Sequence, residues 1–173
     1  MTKPLWILVE GVDDEIFFHG VIKPRLEPRF SYIKLWQYSH EPNKRVNDFL
    51  VSLQKMNAEY LFVCDINRHG CVTLKKDRIT QRYPRVRREN AFVVIREIES
   101  WYLAGVDDSL SRKLGLPALP TTDEIDKEKF DQLMPGKFNS RIDYMLEIIK
   151  GFSMNTAQTK NKSLQYFTRK NNI

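Results

Sequence analysis

Residues 5–18 read LWILVEGVDDEIFF. Five apolar residues, Leu5 to Val9, have the length and composition of a strand buried on both faces. The run stops at Glu10-Gly11, and Asp13, Asp14 and Glu15 follow at once. Carboxylates crowded together repel one another, so a strand ending in this way calls for a compensating positive charge.

Outward from this stretch the first hundred residues alternate between two periodicities. Strand-like runs recur at 32–36, 60–64 and 91–95. Between them Val46, Phe49, Leu50 and Leu53 fall at i, i+3, i+4 and i+7, one apolar stripe of a helix. Asp13 is placed to cap a helix carrying Ile16, Phe17 and Val21 and ending near Pro24. The connection from Val72 to Tyr83 reads as a helix or an ordered loop. The alternation predicts an α/β fold: a mainly parallel, Rossmann-like sheet of about four strands flanked by helices.

After Gly105 the chain changes character. Pro117, Pro120 and Pro135 divide it into short pieces, with a capping box expected at Thr121 to Glu124. Ile142, Met145, Leu146 and Ile149 form a second helical stripe with Ser140 as its cap, and a last helix carries Leu164 and Phe167. The expected organisation is an α/β core over residues 1–105 and a helical layer over 106–173, in a single structural unit.

The 173 residues carry a net charge of +6. Lys75, Lys76, Arg78, Arg82, Arg85, Arg87 and Arg88 stand against the single acid Asp77, and from Ile148 onward there are basic residues and no acid. Such stretches suit a polyanion, nucleic acid first, or else are solvated helix faces. No apolar stretch reaches the length of a membrane span and no signal-peptide layout opens the chain, so the expected address is the cytoplasm. Cys64 and Cys71 form no disulfide framework, and His19, His40 and His69 have no zinc spacing.

The chemistry-bearing set is made of oxygen donors. Glu10, Asp14, Asp65 and Asn67 follow the first and third strands; Glu97 and Glu99 follow the fourth. Ligands in a parallel sheet bind outside the carboxyl ends of the strands, which places these groups at one rim. Oxygen donors without His or Cys suit Mg2+ or Mn2+. One or two such ions would neutralise the acids and activate water for phosphodiester cleavage. Arg68, Arg96 and Lys137 are further candidate phosphate contacts, beside Lys75, Lys76, Arg85, Arg87 and Arg88.

ILVEGVDDEIFF (7–18) resembles the first Toprim motif, a strand ending in Glu-Gly before an acid-headed helix. LFVCDIN (61–67) resembles the second, a strand ending in Asp-x-Asp. IREIESWYLAG (95–105) and NKSLQYFTRK (161–170) are similar to small Toprim-like proteins allied to the overcoming-lysogenization-defect nucleases. The resemblance to the core covers residues 5–105. It implies a metal-dependent nuclease, with DNA the more expected substrate than RNA and a role in phage defence or DNA repair. Glu10 would be a metal ligand or general acid-base group, Asp14 a second-site ligand and Asp65 the principal ligand, with Glu97 and Glu99 completing the shell. Asn67 departs from the pattern where a second Asp is expected, which weakens one of two metal sites. The alternative implied is an inactive Toprim-like module that binds nucleic acid or a separately encoded ATPase. A phosphoreceiver is a third reading, disfavoured because Glu97 and Glu99 would repel a phosphoryl group.

Overall fold

The computed structural model describes residues 2–173. Strands β1 (Leu5–Val9), β2 (Ile33–Gln37), β3 (Glu59–Asp65) and β4 (Ala91–Val94) form one parallel sheet in the order β2-β1-β3-β4, flanked by helices. Leu5 lies opposite Ile33 and Val9 opposite Gln37, while Leu8 pairs with Phe62. β1 is therefore an inner strand covered on both faces, which is why its side chains are apolar without alternation. The chain leaves β1 for β2 on one side and returns to β3 on the other. That reversal sets a topological switch point between β1 and β3, where open α/β sheets hold their ligands.

The chain divides into two compact units, one reaching to Val93 and the other running from Val94 to Ile173. In the first, α3 (Asn43–Lys55) and α4 (Val72–Arg82) follow β2 and β3. Val46, Leu50, Leu53 and Ile79 pack with Leu8, Phe62 and Cys64 in one buried cluster. The connection from Val72 is thus a helix rather than a loop.

The chain after β1 departs from the expected course. Gly11, not Asp13, is the N-cap of α1 (Val12–Phe17). The segment does not stop at Pro24. A π-helical turn at Phe18–Ile22 leads into α2 (Lys23–Leu26) and a 3-10 turn at Glu27–Arg29. Pro24 sits at the start of α2, where a missing N–H costs nothing.

The second unit is helical: α5 (Glu99–Ala104), α6 (Asp108–Leu114), α7 (Lys127–Leu133), α8 (Arg141–Lys150), α9 (Met154–Lys160) and α10 (Lys162–Lys170). Its aromatic contacts include Trp101 with Phe167 at 5.3 Å and Phe130 with Tyr144 at 4.9 Å. Two sequence expectations fail here. Thr121 to Glu124 is no helix start: α7 is capped by Asp126, and Thr121 instead closes a local turn onto the Asp123 N–H. Ser140 does cap α8, but the buried face is Tyr144, Met145 and Ile148, with Ile142 and Leu146 exposed. Tyr144 supplies the apolar bulk that rotates the helix.

NKSLQYFTRK has a structural role in this unit. Asn161 caps α10 by accepting from the Leu164 N–H at 3.0 Å, and its amide donates to Thr122 Oγ1 at 3.2 Å and Ser100 Oγ at 3.3 Å. Ser163 Oγ accepts from the Trp101 indole at 2.8 Å and donates to Asn161 Oδ1 at 2.8 Å. These buried polar groups satisfy one another, as burial demands. Among the described residues no helix is long and apolar enough to cross a membrane.

Candidate active site at the carboxyl ends of β1 and β3

Glu10 is the first residue beyond β1 and Asp65 is the last of β3. Because the two strands are neighbours in parallel, their ends coincide, and the Glu10 carboxylate accepts a hydrogen bond from the Asp65 main-chain N–H. The Tyr38 hydroxyl lies 3.4 Å from Glu10 Oε1 and 3.0 Å from the Val63 carbonyl oxygen, and its one proton is shared between these two acceptors. Ser39 Oγ hydrogen-bonds the Glu10 carbonyl, fixing the backbone behind the carboxylate.

Lys75 meets the same oxygen. Its Nζ is 4.0 Å from Glu10 Oε1, with the side chain 7% exposed against 25% for Glu10. Burial raises the Glu10 carboxyl above its ordinary pKa; the Lys75 ammonium, the Asp65 N–H and Tyr38 oppose that rise without cancelling it. Burial also holds the Tyr38 phenol protonated well beyond its usual range, reinforced by the Glu10 charge. The same effect pushes the buried Cys64 thiol up to about 12.

Asp14 is buried, and its Oδ2 accepts from the Gly11 N–H at 3.2 Å. Asp13 was expected to cap this helix; the N-cap is instead Gly11, and Asp14 at N3 reaches back to its N–H. Asn67 has a positive φ of 53° and donates its amide to the Asp65 carbonyl at 3.2 Å. Asn tolerates the left-handed conformation better than most residues, so the turn leaving β3 gives a local reason for Asn at this position.

Along α4 runs a basic trough. A compartment of about 450 Å3 is lined by His69, Lys75, Arg78, Ile79, Gln81 and Arg82. A neighbouring one of about 650 Å3 shares His69, Arg78 and Gln81 and adds Arg68, Gly70, Leu74 and one acid, Asp77. Lys75, Arg78 and Arg82 stand at i, i+3 and i+7, so one helix face presents all three cations.

The other basic candidates are variously engaged. Arg88 pairs with Asp77, and Lys76 donates to the Arg88 carbonyl at 3.3 Å. Arg87 lies 3.8 Å from Glu89 and over the Tyr60 ring. Arg85 and Arg68 are exposed. Lys75, read from sequence as a candidate phosphate contact in a basic stretch, is buried beside Glu10; the repeat of Val72, Lys75 and Ile79 along α4 is the signal that could have found this burial. Nothing in the sequence singled out Tyr38.

In the second unit each acid candidate has a partner inside that unit. Glu99 is buried and paired with Arg141, which also binds Asp131. Glu97 accepts from the Lys127 main-chain N–H at the start of α7. Arg96 pairs with Glu124, and Lys137 donates to the Lys113 carbonyl at 2.9 Å. Trp101 and Tyr102 are core residues, fully buried.

Among the described residues no group of three or more His, Cys, Asp or Glu side chains is arranged to hold a metal ion. No family model matches the chain, and no curated protein or solved structure matches it either.

Proposed function

We propose that the first unit is a Toprim-like, metal-dependent phosphodiesterase acting on nucleic acid, DNA before RNA. The observation that carries this reading is the Glu10 carboxylate resting on the Asp65 main-chain N–H at the switch point of the sheet, beside a trough lined mainly by cations. The donor set fits Mg2+ or Mn2+, since magnesium is commonly held by one or two carboxylates with water and substrate phosphate oxygens completing the shell. Glu10 and Asp65 would hold it, and its chemistry there would be to lower the pKa of water and neutralise charge on the phosphate.

The chain's own residues supply the rest. Glu10, with its proton affinity raised by burial, is suited to take a proton from the attacking water or return one to the leaving oxygen. Tyr38 and the Asp65 N–H hold that carboxylate in place. Arg68, Arg78 and Arg82 neutralise the backbone phosphates and carry no base specificity.

Purified protein should nick or degrade DNA in magnesium or manganese. Glu10→Gln and Asp65→Asn should each lower the rate by about 10²- to 10⁴-fold while leaving the melting temperature no lower than that of the parent. Cleavage undiminished in both variants, or no cleavage by the parent with either metal, would reject the hydrolase.

A second reading is a Toprim-like module that binds nucleic acid, or a separately encoded ATPase, without cutting. The buried Lys75 ammonium favours it, because it already supplies positive charge beside Glu10; the internal partners of Glu97 and Glu99 favour it too. Salt-sensitive DNA association with no saturable manganese binding by calorimetry would select this reading.

A further inference from the structure

We propose that the inner compartment of the α4 trough is a phosphate-binding site that works without a metal ion, with Lys75 as its innermost cation. This deepens the reading above by assigning a place to one phosphate group of the substrate, and it rests on that reading only for what the phosphate belongs to.

A buried ammonium has three N–H donors to satisfy. Among the described residues the one ionic partner of Lys75 Nζ is Glu10, at 4.0 Å, beyond hydrogen-bond reach. The Nζ is not among the side-chain atoms sealed from solvent without a partner, and Lys75 lines the compartment, so its donors are open to a ligand there. An anionic oxygen entering the compartment would meet them with short, charge-assisted bonds.

The lining fits that ligand. His69, Lys75, Arg78, Ile79, Gln81 and Arg82 include one lysine, two arginines and no acid. Arg82 is oriented by its Nε bond to Asn43 Oδ1 at 2.9 Å, a contact between α4 and the start of α3 that leaves its other nitrogens available. Arg78 and Gln81 are exposed and can close on the ligand from the solvent side. Tetrahedral phosphate, with oxygens on every side, matches donors that converge from several directions.

The test is calorimetric titration of the full chain with inorganic phosphate and pyrophosphate, with EDTA present and ionic strength held constant with chloride. Saturable binding is expected. Lys75→Met should weaken it by about tenfold or more, and Arg78→Ala by several-fold, given what a charge-assisted hydrogen bond contributes. Should Lys75→Met fold poorly, the exposed Arg78→Ala decides. No saturable binding, or binding unchanged in the variants that fold, overturns the site. Phosphate binding by a chain that never cuts nucleic acid upholds the site and rejects only the hydrolase. Cleavage without phosphate binding does the reverse.

Discussion

The carboxylate of Glu10 accepts from the main-chain N–H of Asp65, although Glu10 follows β1 and Asp65 ends β3, with β2 and α3 between them in the chain. Parallel pairing of β1 with β3 brings them together, so the contact is a property of the sheet. Its electrostatic setting has a measurable consequence for stability.

Burial raises the Glu10 carboxyl above the ordinary carboxylate pKa of 4.5. The folded state therefore favours the protonated form. That contribution is fully present below the unfolded pKa and is lost as pH rises through the folded one. At pH 7 the ionised carboxylate opposes folding, and Glu10→Gln should be the more stable protein. Denaturant titrations at pH 7 and pH 4 check this. The advantage of the variant should shrink at pH 4, and an advantage that grows there would contradict the sign.

Glu99 and Arg141 form a buried pair in the second unit. Arg141→Met removes the countercharge of a carboxylate only 4% exposed and should destabilise the protein by about 3 kcal/mol. Adding Glu99→Met should restore most of it, since removing both charges relieves the penalty that removing one creates. Urea unfolding of the two variants measures the difference. Failure of the double variant to recover would point to a further demand on Glu99, such as the metal role its sequence position implies.

The two cysteines should separate cleanly. Cys71 is exposed, whereas Cys64 is buried and its thiol is pushed up to about 12. A thiol-specific reagent at pH 8 should label one residue per folded chain, identified by mass spectrometry as Cys71, and both after unfolding. A raised thiol pKa contributes stability that is present below the unfolded value of 9.0 and lost as pH climbs toward 12. Replacing Cys64 by Ala should therefore flatten the alkaline limb of the stability curve.

The basic residues should not be equivalent. Arg68, Arg78 and Arg82 line the trough, while Arg88 and Arg87 have acidic neighbours in Asp77 and Glu89. Replacing the first three by Ala should weaken DNA binding and reduce the salt slope by roughly 0.7–0.9 for each phosphate that is no longer neutralised. Replacing Arg85, Arg87 and Arg88 should have the smaller effect. Fluorescence anisotropy across a salt series distinguishes the two sets, and a reversed order would move the interface away from α4.

Much was legible from local pattern alone. An unbroken apolar run gave β1, the period of Val46, Leu50 and Leu53 gave α3, and Glu10 and Asp65 were marked out because each ends a buried strand. These signals are local: periodicity and the abrupt change from apolar to charged residues are written along the chain. What lay beyond them depended on contacts between distant segments. Lys75 looked like one cation among several in a basic stretch until the packing of α4 turned it inward toward Glu10. Glu99 was marked by its position after a strand, and its pairing with Arg141, far along the chain, was not visible there. Asp14 rather than Asp13 reaches back to Gly11 because of where α1 begins. Sequence determined which residues could carry charge at the end of each strand, since that follows from residue type and spacing. Tertiary structure decided which opposite charge each of them meets, since that depends on distances the linear chain does not contain.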